Sequence, residues 1–227
     1  MRDAENFDKP IKAESMLRVS LFADLKINKI GLDFENQARD AGYSFVAGVD
    51  EVGRGCLAGP VVAAACILDP AKPLPKGLND SKKLSKARRG DIAAELKEHV
   101  LAYGVGQVEA DEIDRINILE ATKKAMLIAI SRLEPAAEFL LIDALALKQN
   151  PLPQKAIIKG DSISASIAAA SVLAKTFRDA LMTDYDAVYP VYGYAAHFGY
   201  GTPVHLDALR KHGPCPLHRL SFRGVLD

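Results

Sequence analysis

Excess charge, cysteine motifs and long apolar runs are all missing from this sequence, and each absence excludes a class of protein. The 29 lysine and arginine residues balance 29 aspartate and glutamate residues, which argues against a nonspecific nucleic-acid-binding protein. The three cysteines, Cys56, Cys66 and Cys215, form no CxxC or cysteine–histidine pattern, so we expect reduced thiols in a cytoplasmic protein. The longest apolar run, at 61–68, is too short to span a membrane. The charged N-terminal segment contains no signal-peptide core.

Charge is nevertheless distributed unevenly along the chain. The segment 72–89 contains a single acid, Asp80, and a group of basic residues: Lys72, Lys76, Lys82, Lys83, Lys86, Arg88 and Arg89. This clustering predicts a local basic face on a neutral protein, and a merely solvated face is the alternative.

The order of the apolar segments predicts one α/β domain. We expect an N-terminal leader at 1–42, partly disordered or with a short helix around 32–41, followed by a domain at 43–227. Segments with the length and pattern of strands occur at 45–50, 60–68, 101–110, 138–144 and 155–160. Helical segments are predicted at 86–100, from Asn117 onward, at about 162–185 and at 204–211. Such an order is typical of a layered domain with a mixed sheet.

Acidic residues stand where three of the predicted strands end. Asp50 with Glu51, Asp143 and Asp161 each follow an apolar run, and carboxylates at the ends of neighbouring strands can converge at one edge of a sheet. Such oxygen-rich sites bind Mg²⁺ or Mn²⁺. Two ions about 3.5–4 Å apart can activate water and stabilise the leaving oxygen in phosphodiester hydrolysis. The alternatives are that aspartate simply favours the turns after strands, and that Asp161 caps the following helix.

The segment after Asp50 is rich in glycine. In a regular strand Asp50 and Glu51 point to opposite faces, so both can serve one site only if the strand twists or breaks, as Gly53 and Gly55 would allow. Arg54, between the two glycines, could reach a phosphate or a sugar. The spacing fits neither a P-loop nor GxGxxG, and a tight turn between two strands is an equally good interpretation.

A series of blocks in this sequence resembles ribonuclease HII, the bacterial type 2 ribonucleases H. The blocks run in family order between about 32 and 222: GVDEVGRGCLAGPVVAAA, LNDSKKLS, INILEATKKAM, LLID, IIKGDSISASIAAASVLAKTFRD, HFGYGTPVH and HRLSF. Many members have glycine after the third acid, where this chain has Ala144, so we expect a changed turn but an unchanged ligand.

The resemblance implies a fold, an activity and a site. The fold would be a ribonuclease H-like mixed β-sheet flanked by helices, with a small helical C-terminal part. The enzyme would hydrolyse RNA in RNA–DNA hybrids and cut 5′ of ribonucleotides embedded in duplex DNA, leaving 3′-hydroxyl and 5′-phosphate ends. It would act without a covalent intermediate, as a cytoplasmic monomer, with two Mg²⁺ or Mn²⁺ ions. The implied catalytic metal ligands are Asp50, Glu51, Asp143 and Asp161.

The resemblance also implies contacts with the substrate. Gly53, Arg54 and Gly55 would detect the ribose 2′-hydroxyl, the group that distinguishes RNA from DNA. Tyr200 would pack on the sugar next to the ribonucleotide. Backbone phosphates would contact Lys82, Asn117 and Arg178, for which the residues themselves equally suggest a solvated lysine, a helix cap and a helix-surface charge.

Three alternative functions differ from this interpretation in recognisable features. The related ribonucleases HIII usually carry an extra N-terminal domain and lack the arginine between the glycines, whereas this chain has Arg54. A non-catalytic hybrid-binding module would not need four clustered carboxylates, which repel nucleic acid unless metal ions neutralise them. A carboxylate–metal phosphatase for small molecules would explain the acids but not the basic segment at 72–89.

Overall fold

A five-stranded mixed sheet forms the centre of the computed structural model, which describes residues 29–226. The strands are β1 (Val46–Val52), β2 (Val61–Leu68), β3 (Val100–Val108), β4 (Phe139–Asp143) and β5 (Gln154–Ile157). They lie in the order β3-β2-β1-β4-β5. β2 pairs antiparallel with β1 and β3, whereas β4 pairs parallel with β1 and β5. The carboxyl ends of β1, β4 and β5 therefore share one edge of the sheet.

Helices cover both faces of this sheet and form the C-terminal part. They are α1 (Asp33–Asp40), α2 (Lys86–His99), α3 (Ala110–Ile116), α4 (Ile118–Ser131), α5 (Ala165–Val188), α6 (Tyr194–His197) and α7 (Pro203–His212), with 3₁₀ turns at Ser81–Lys83 and Gly160–Ser162. The predicted mixed sheet with flanking helices is confirmed. The short helices α3 and α6 were not predicted, because seven and four residues are too few to show a helical period.

Small residues let the two long helices lie close to the sheet. On one face Ala63 and Ala65 of β2 pack near Ala125 and Ala129 of α4. On the other face α5 packs so tightly against β1 that a Cβ atom on Gly48 would lie 2.1 Å from the Ser166 carbonyl carbon. This close approach places the first half of α5 directly over the carboxyl end of β1.

The helix predicted around 32–41 is confirmed as α1, and it belongs to the sheet. Phe34 of α1 packs with Val46 and Phe139. Glu35 is fully buried, and its Oε1 accepts hydrogen bonds from the Ser164 hydroxyl at 2.6 Å and the Ser166 amide at 2.8 Å, at the start of α5. A domain boundary at 43 therefore separates α1 from the strands onto which it packs. The rest of the predicted leader, at 1–28, lies outside the described residues.

Two boundaries differ from the prediction at the start of α5. The strand predicted at 155–160 ends at Ile157, so Asp161 lies in a 3₁₀ turn and not at a strand end. The helix begins at Ala165 because the Ser164 side chain accepts a hydrogen bond from the Ile167 amide at 3.3 Å. Ser164, and not Asp161, is therefore the residue that caps this helix.

The C-terminal part packs on the turn between β1 and β2. Leu57 and Ala58 of this turn contact a cluster that includes Tyr194 and Leu209. The predicted small helical C-terminal part is thus confirmed. Across residues 29–226, no helix combines the length and the apolar character needed to cross a bilayer.

Candidate active site

The parallel pairing of β1 with β4 brings two of the predicted acids together. Val49 pairs with Ile142, so Asp50 and Asp143 come next on adjacent strands. Val49 and Ile142 both face the core beneath α4, and alternation therefore directs both acids toward α5. Asp50 is 4% exposed and is hydrogen-bonded by Ser171 of α5.

Asp161 joins this pair through the backbone of its own turn. The Gly160 amide donates a hydrogen bond to Asp143 Oδ1 at 2.7 Å, which fixes the turn that carries Asp161 beside β4. The Asp161 carboxylate is buried and lies 3.6 Å from the Lys82 ammonium. The chain reaches this turn through Lys159, whose φ of 58° lies in the left-handed region.

Glu51 lies at the same edge although the strand does not break. β1 continues to Val52, Glu51 pairs with Ala63, and the Glu51 amide donates to Asp50 Oδ1 at 2.7 Å. Glu51 Oε1 lies 3.4 Å from an Arg54 nitrogen, while its Oε2 is buried without a hydrogen-bond partner. The chain turns only after Val52, so the glycines do not break the strand between the two acids.

Burial and mutual repulsion disfavour the charged forms of these acids. Burial, followed by the charges of Glu51 and Asp143, raises the pKa of Asp50 well above its usual value. Burial also raises the pKa of Glu51, against the opposing effect of Arg54. Burial raises the pKa of Asp143, although the Gly160 amide opposes the change. A divalent cation would offset both the burial and the repulsion.

The donor set fits a hard divalent cation in its chemistry. Carboxylate oxygens are the ligands of Mg²⁺ and Mn²⁺, and the unpartnered Oε2 of Glu51 is a free donor. Within residues 29–226, no three side chains of the ligating types are already arranged to hold an ion. The positive charge next to the acids in this structure is the ammonium group of Lys82. Burial would lower the pKa of Lys82, but Asp161, Asp50 and other carboxylates outweigh this effect, so the pKa is raised.

A cleft of about 510 Å³ opens beside the acids and contains most of the predicted substrate residues. It reaches from Ile118 of α4 to Ser171 of α5 across the sheet edge. The lining residues named from the sequence are Glu51, Gly53, Arg54, Gly55, Lys82 and Tyr200. Tyr200 is 40% exposed, and the Lys175 ammonium lies 5.8 Å from its ring centroid.

The two glycines beside Arg54 have different structural requirements. Gly53 has a φ of 91°, and a Cβ atom there would lie 2.3 Å from Arg178 Nε, so only glycine fits. Gly55 has no such φ, and a Cβ atom there would meet nothing within 4 Å. The fold therefore requires Gly53 but leaves open space at Gly55, on the cleft.

Arg178 does not lie in the cleft. It is fully buried, and its guanidinium donates to the carbonyls of Pro60 at 2.9 Å, Phe198 at 2.8 Å and Ala58 at 3.0 Å. Both sequence-based interpretations, a phosphate contact and a helix-surface charge, conflict with this burial. The side chain instead holds the turn between β1 and β2.

Asn117 also has a structural role that the sequence offered as an alternative. Its Oδ1 accepts hydrogen bonds from the amides of Leu119 at 2.9 Å and Glu120 at 3.1 Å, which caps α4. Its backbone has a φ of 69° and a ψ of 163°, a conformation that is strained for any residue other than glycine. The exposed side chain does not line the cleft, although Ile118 beside it does.

The basic segment 72–89 provides a smaller basic face than its composition suggests. Arg89 is buried, bonding Asp179 at 2.9 Å and the Ser81 carbonyl at 2.9 Å, so it holds the turn that carries Lys82. Lys72 and Arg88 donate to backbone carbonyls. Apart from Arg89, the basic residues of the segment remain exposed.

Two residues of α5 that line the cleft were not assigned from the sequence. Ser171 hydrogen-bonds both Asp50 and, at 2.9 Å, the Ser81 hydroxyl. Lys175 pairs with Asp179 at 2.7 Å. Their spacing of four residues places them on one face of the helix, and this spacing is the sequence feature from which a shared position at the cleft could have been predicted.

The architecture defines the class of the protein first. It matches the crystal structure of the ribonuclease H2 from Pyrococcus horikoshii OT3 with a TM-score of 0.66 and 25% identity, over 80% of this chain and 95% of that one. The fold is therefore ribonuclease H-like.

The sequence comparisons then define the family. The model of the family described as Ribonuclease HII matches residues 47–225, and the chain belongs to this family. Ribonuclease HII from Ruminiclostridium cellulolyticum is 56% identical over 191 residues, which cover 84% of this chain and 74% of that protein. Ribonuclease HII from Syntrophotalea carbinolica is 53% identical over 194 residues, covering 86% and 92% respectively. The chain is thus a nuclease of the hydrolase class with ribonuclease H activity on RNA in hybrids, and the resemblance found in the sequence is confirmed.

Proposed function

We propose that this enzyme cuts on the 5′ side of ribonucleotides, both within RNA–DNA hybrids and at single ribonucleotides in duplex DNA. The products would carry 3′-hydroxyl and 5′-phosphate ends. The observation that carries the proposal is the adjacency of two groups of residues. The buried acids Asp50 and Asp161 and the partly buried Asp143 adjoin a cleft lined by Glu51, the turn at 53–55 and Tyr200.

The four acids would hold two divalent ions, Mg²⁺ or Mn²⁺. The bound ions would supply activation of the attacking water and stabilisation of the leaving oxygen. The raised pKa values of Asp50, Glu51 and Asp143 support this assignment, because such acids gain from a neighbouring cation. The side chain of Lys82 is 74% exposed and faces both Asp161 and the cleft, so it is placed to contact a phosphate near the acids.

Recognition of the ribonucleotide would fall to the turn at 53–55 and to Tyr200. The open space beside Gly55 leaves room for a sugar to approach the backbone. The half-exposed Tyr200 ring offers a flat surface for stacking at low entropic cost. We propose that the enzyme acts as a monomer. The three free cysteines fit the cytoplasm, where thiols stay reduced.

The test compares two substrates of the same sequence, a DNA duplex with one ribonucleotide and a continuous RNA–DNA hybrid. Wild-type enzyme with Mg²⁺ should cut both, and a chelator should abolish both reactions. The cut should lie 5′ of the ribonucleotide and leave an end that a polymerase extends. Cyclic phosphate ends, or full activity in the chelator, would refute the proposed chemistry.

Variants of Tyr200 test the recognition role on the same substrates. Tyr200→Ala should lower cleavage at the single ribonucleotide roughly fivefold more than cleavage of the hybrid, since it removes a stacking surface. Tyr200→Phe should keep the ratio of the two rates, and Val204→Ala, an exposed site outside the cleft, serves as the control. Equal losses on both substrates with a lowered melting temperature would instead make Tyr200 a structural anchor.

A further inference from the structure

Three histidines lie buried behind the segment that carries Tyr200. His197, His205 and His218 are 8%, 0% and 2% exposed, and none of them lines the cleft. The rings of His197 and His205 stack with centroids 4.5 Å apart. The proposed chemistry uses none of these side chains, although buried polar rings require defined hydrogen-bond partners.

The partners of His205 and His218 fix the tautomer of each ring. The Cys215 amide donates to His218 Nδ1 at 2.9 Å, whereas the Cys215 carbonyl lies farther away, at 3.3 Å, and already accepts from the His218 amide. The shorter contact assigns the proton of neutral His218 to Nε2. His205 Nδ1 lies 2.9 Å from the Tyr200 carbonyl, which can only accept, so His205 carries its proton on Nδ1. The two Nε2 atoms are 3.0 Å apart, and His218 therefore donates to His205.

The remaining contacts agree with this assignment. The Gly199 amide donates to His197 Nδ1 at 3.2 Å, and His197 Nε2 then donates to the Tyr192 carbonyl at 2.7 Å. The Tyr194 hydroxyl lies 3.3 Å from His218 Nε2, as a second neighbour of that nitrogen. Every ring nitrogen of the three histidines thus has a hydrogen-bond partner. Among residues 29–226, no group of metal-ligating side chains is arranged to hold an ion here either.

We propose that His205 is a positioning residue for Tyr200. In a hydrogen-bond relay from the Cys215 amide, His218 fixes the tautomer of His205, and His205 Nδ1 donates to the Tyr200 carbonyl. The bond from His205 holds the backbone of Tyr200 against α7, while the Thr202 amide, at 2.8 Å from the same carbonyl, comes from only two residues further along the chain. This inference rests on the proposed recognition role of Tyr200. The relay orients the ring for the junction next to a ribonucleotide and takes no part in the chemistry.

A matched pair of variants separates the relay from general stability. In His205→Asn the amide nitrogen replaces Nδ1–H and keeps the bond to the Tyr200 carbonyl. In His205→Gln the longer side chain reaches His218 but loses that bond. Each variant removes one of two hydrogen bonds from a buried site, so we expect similar losses of melting temperature.

The decisive measurement is the ratio of the cleavage rate at a single ribonucleotide to the rate on a continuous hybrid. His205→Asn should keep this ratio within about twofold of wild type, and His205→Gln should lower it roughly fivefold, the usual effect of one hydrogen bond. Equal ratios in the two variants would overturn the relay. If instead Tyr200→Ala itself leaves the ratio unchanged, the recognition role of Tyr200 fails, and the relay loses its purpose with it.

Nuclear magnetic resonance of the wild-type imidazoles tests the same inference when neither variant folds. At pH 7.5 the ¹⁵N shifts should show His205 protonated on Nδ1, and His218 and His197 protonated on Nε2. A His205 ring protonated on Nε2, or a charged ring at that pH, would overturn the proposal.

Discussion

Replacing His218 by asparagine should remove a specific part of the acid sensitivity of this protein. Burial, followed by the neighbouring His205, lowers the pKa of His218 from its usual 6.5 to about 4. Between these two values the unfolded chain binds a proton that the folded chain does not bind. The free energy of unfolding contributed by His218 is therefore fully present above pH 6.5 and is lost as the pH falls toward 4.

The size of the effect follows from the two pKa values. Because the pKa of His218 is 6.5 in the unfolded chain and about 4 in the folded chain, His218 contributes roughly 3 kcal/mol to the free energy of unfolding. Of this contribution, about 1.3 kcal/mol is lost between pH 7.5 and pH 5.5. The acids at the sheet edge act with the opposite sign: the raised pKa values of Asp50, Glu51 and Asp143 make the folded chain bind more protons. These acids are common to both proteins, so the difference between wild type and variant isolates His218.

The assay is urea unfolding of the metal-free protein at pH 7.5 and 5.5, with ionic strength held constant. His218→Asn keeps an acceptor for the Cys215 amide, and it should be less stable than wild type at pH 7.5. This deficit should shrink by about 1.3 kcal/mol at pH 5.5. His212→Asn, at an exposed position of α7, is the control and should follow wild type. An unchanged deficit would show that the folded state does not exclude the proton, and would refute the reasoning.

The remaining predictions concern the site and its surface. Ala144 has a φ of 51°, so Ala144→Gly should raise the free energy of unfolding by about 1 kcal/mol in urea titrations, and a decrease would show that the turn is not strained. Asp143→Asn should lower cleavage at least about a hundredfold with saturating Mg²⁺ while the protein stays folded by circular dichroism; near wild-type cleavage would contradict its ligand role. Substrate binding measured in Ca²⁺ should weaken with salt, with a log–log slope of about −0.9 for each phosphate neutralised, and a slope near zero would mean that segment 72–89 is only solvated.

The sequence predicted the elements whose causes are local. The helix predicted at 86–100 begins where Ser85 caps it, because the Ser85 hydroxyl accepts a hydrogen bond from the Arg88 amide at 3.2 Å. The apolar run of β2 is buried at every position, as a central strand requires. Asp50 and Asp143 each follow such an apolar run. Because the two strands pair in parallel, the two acids come to lie side by side.

The elements that the sequence could not predict depend on distant partners. Asp161 leaves the strand because the Gly160 amide bonds Asp143, seventeen positions earlier in the chain. Arg178 sits within a helix whose pattern cannot show that three carbonyls of other segments surround its guanidinium. The resemblance to ribonuclease HII supplied the candidate site residues, but it could not distinguish a side chain facing the cleft from one that supports it.

Two buried arginines explain how a turn with several glycines can remain in one conformation. Arg219 donates to the carbonyls of Gly59 and Arg54, and Arg178 donates to those of Ala58 and Pro60. Both arginines are fully buried and neither lines the cleft, so their charge stabilises backbone carbonyls and does not reach the surface. The formal balance of charges in the sequence therefore does not describe the surface. The exposed lysines of segment 72–89 can attract a polyanion to one face of the protein. The buried arginines and buried acids are counted in the formal net charge of zero but do not contribute to this surface.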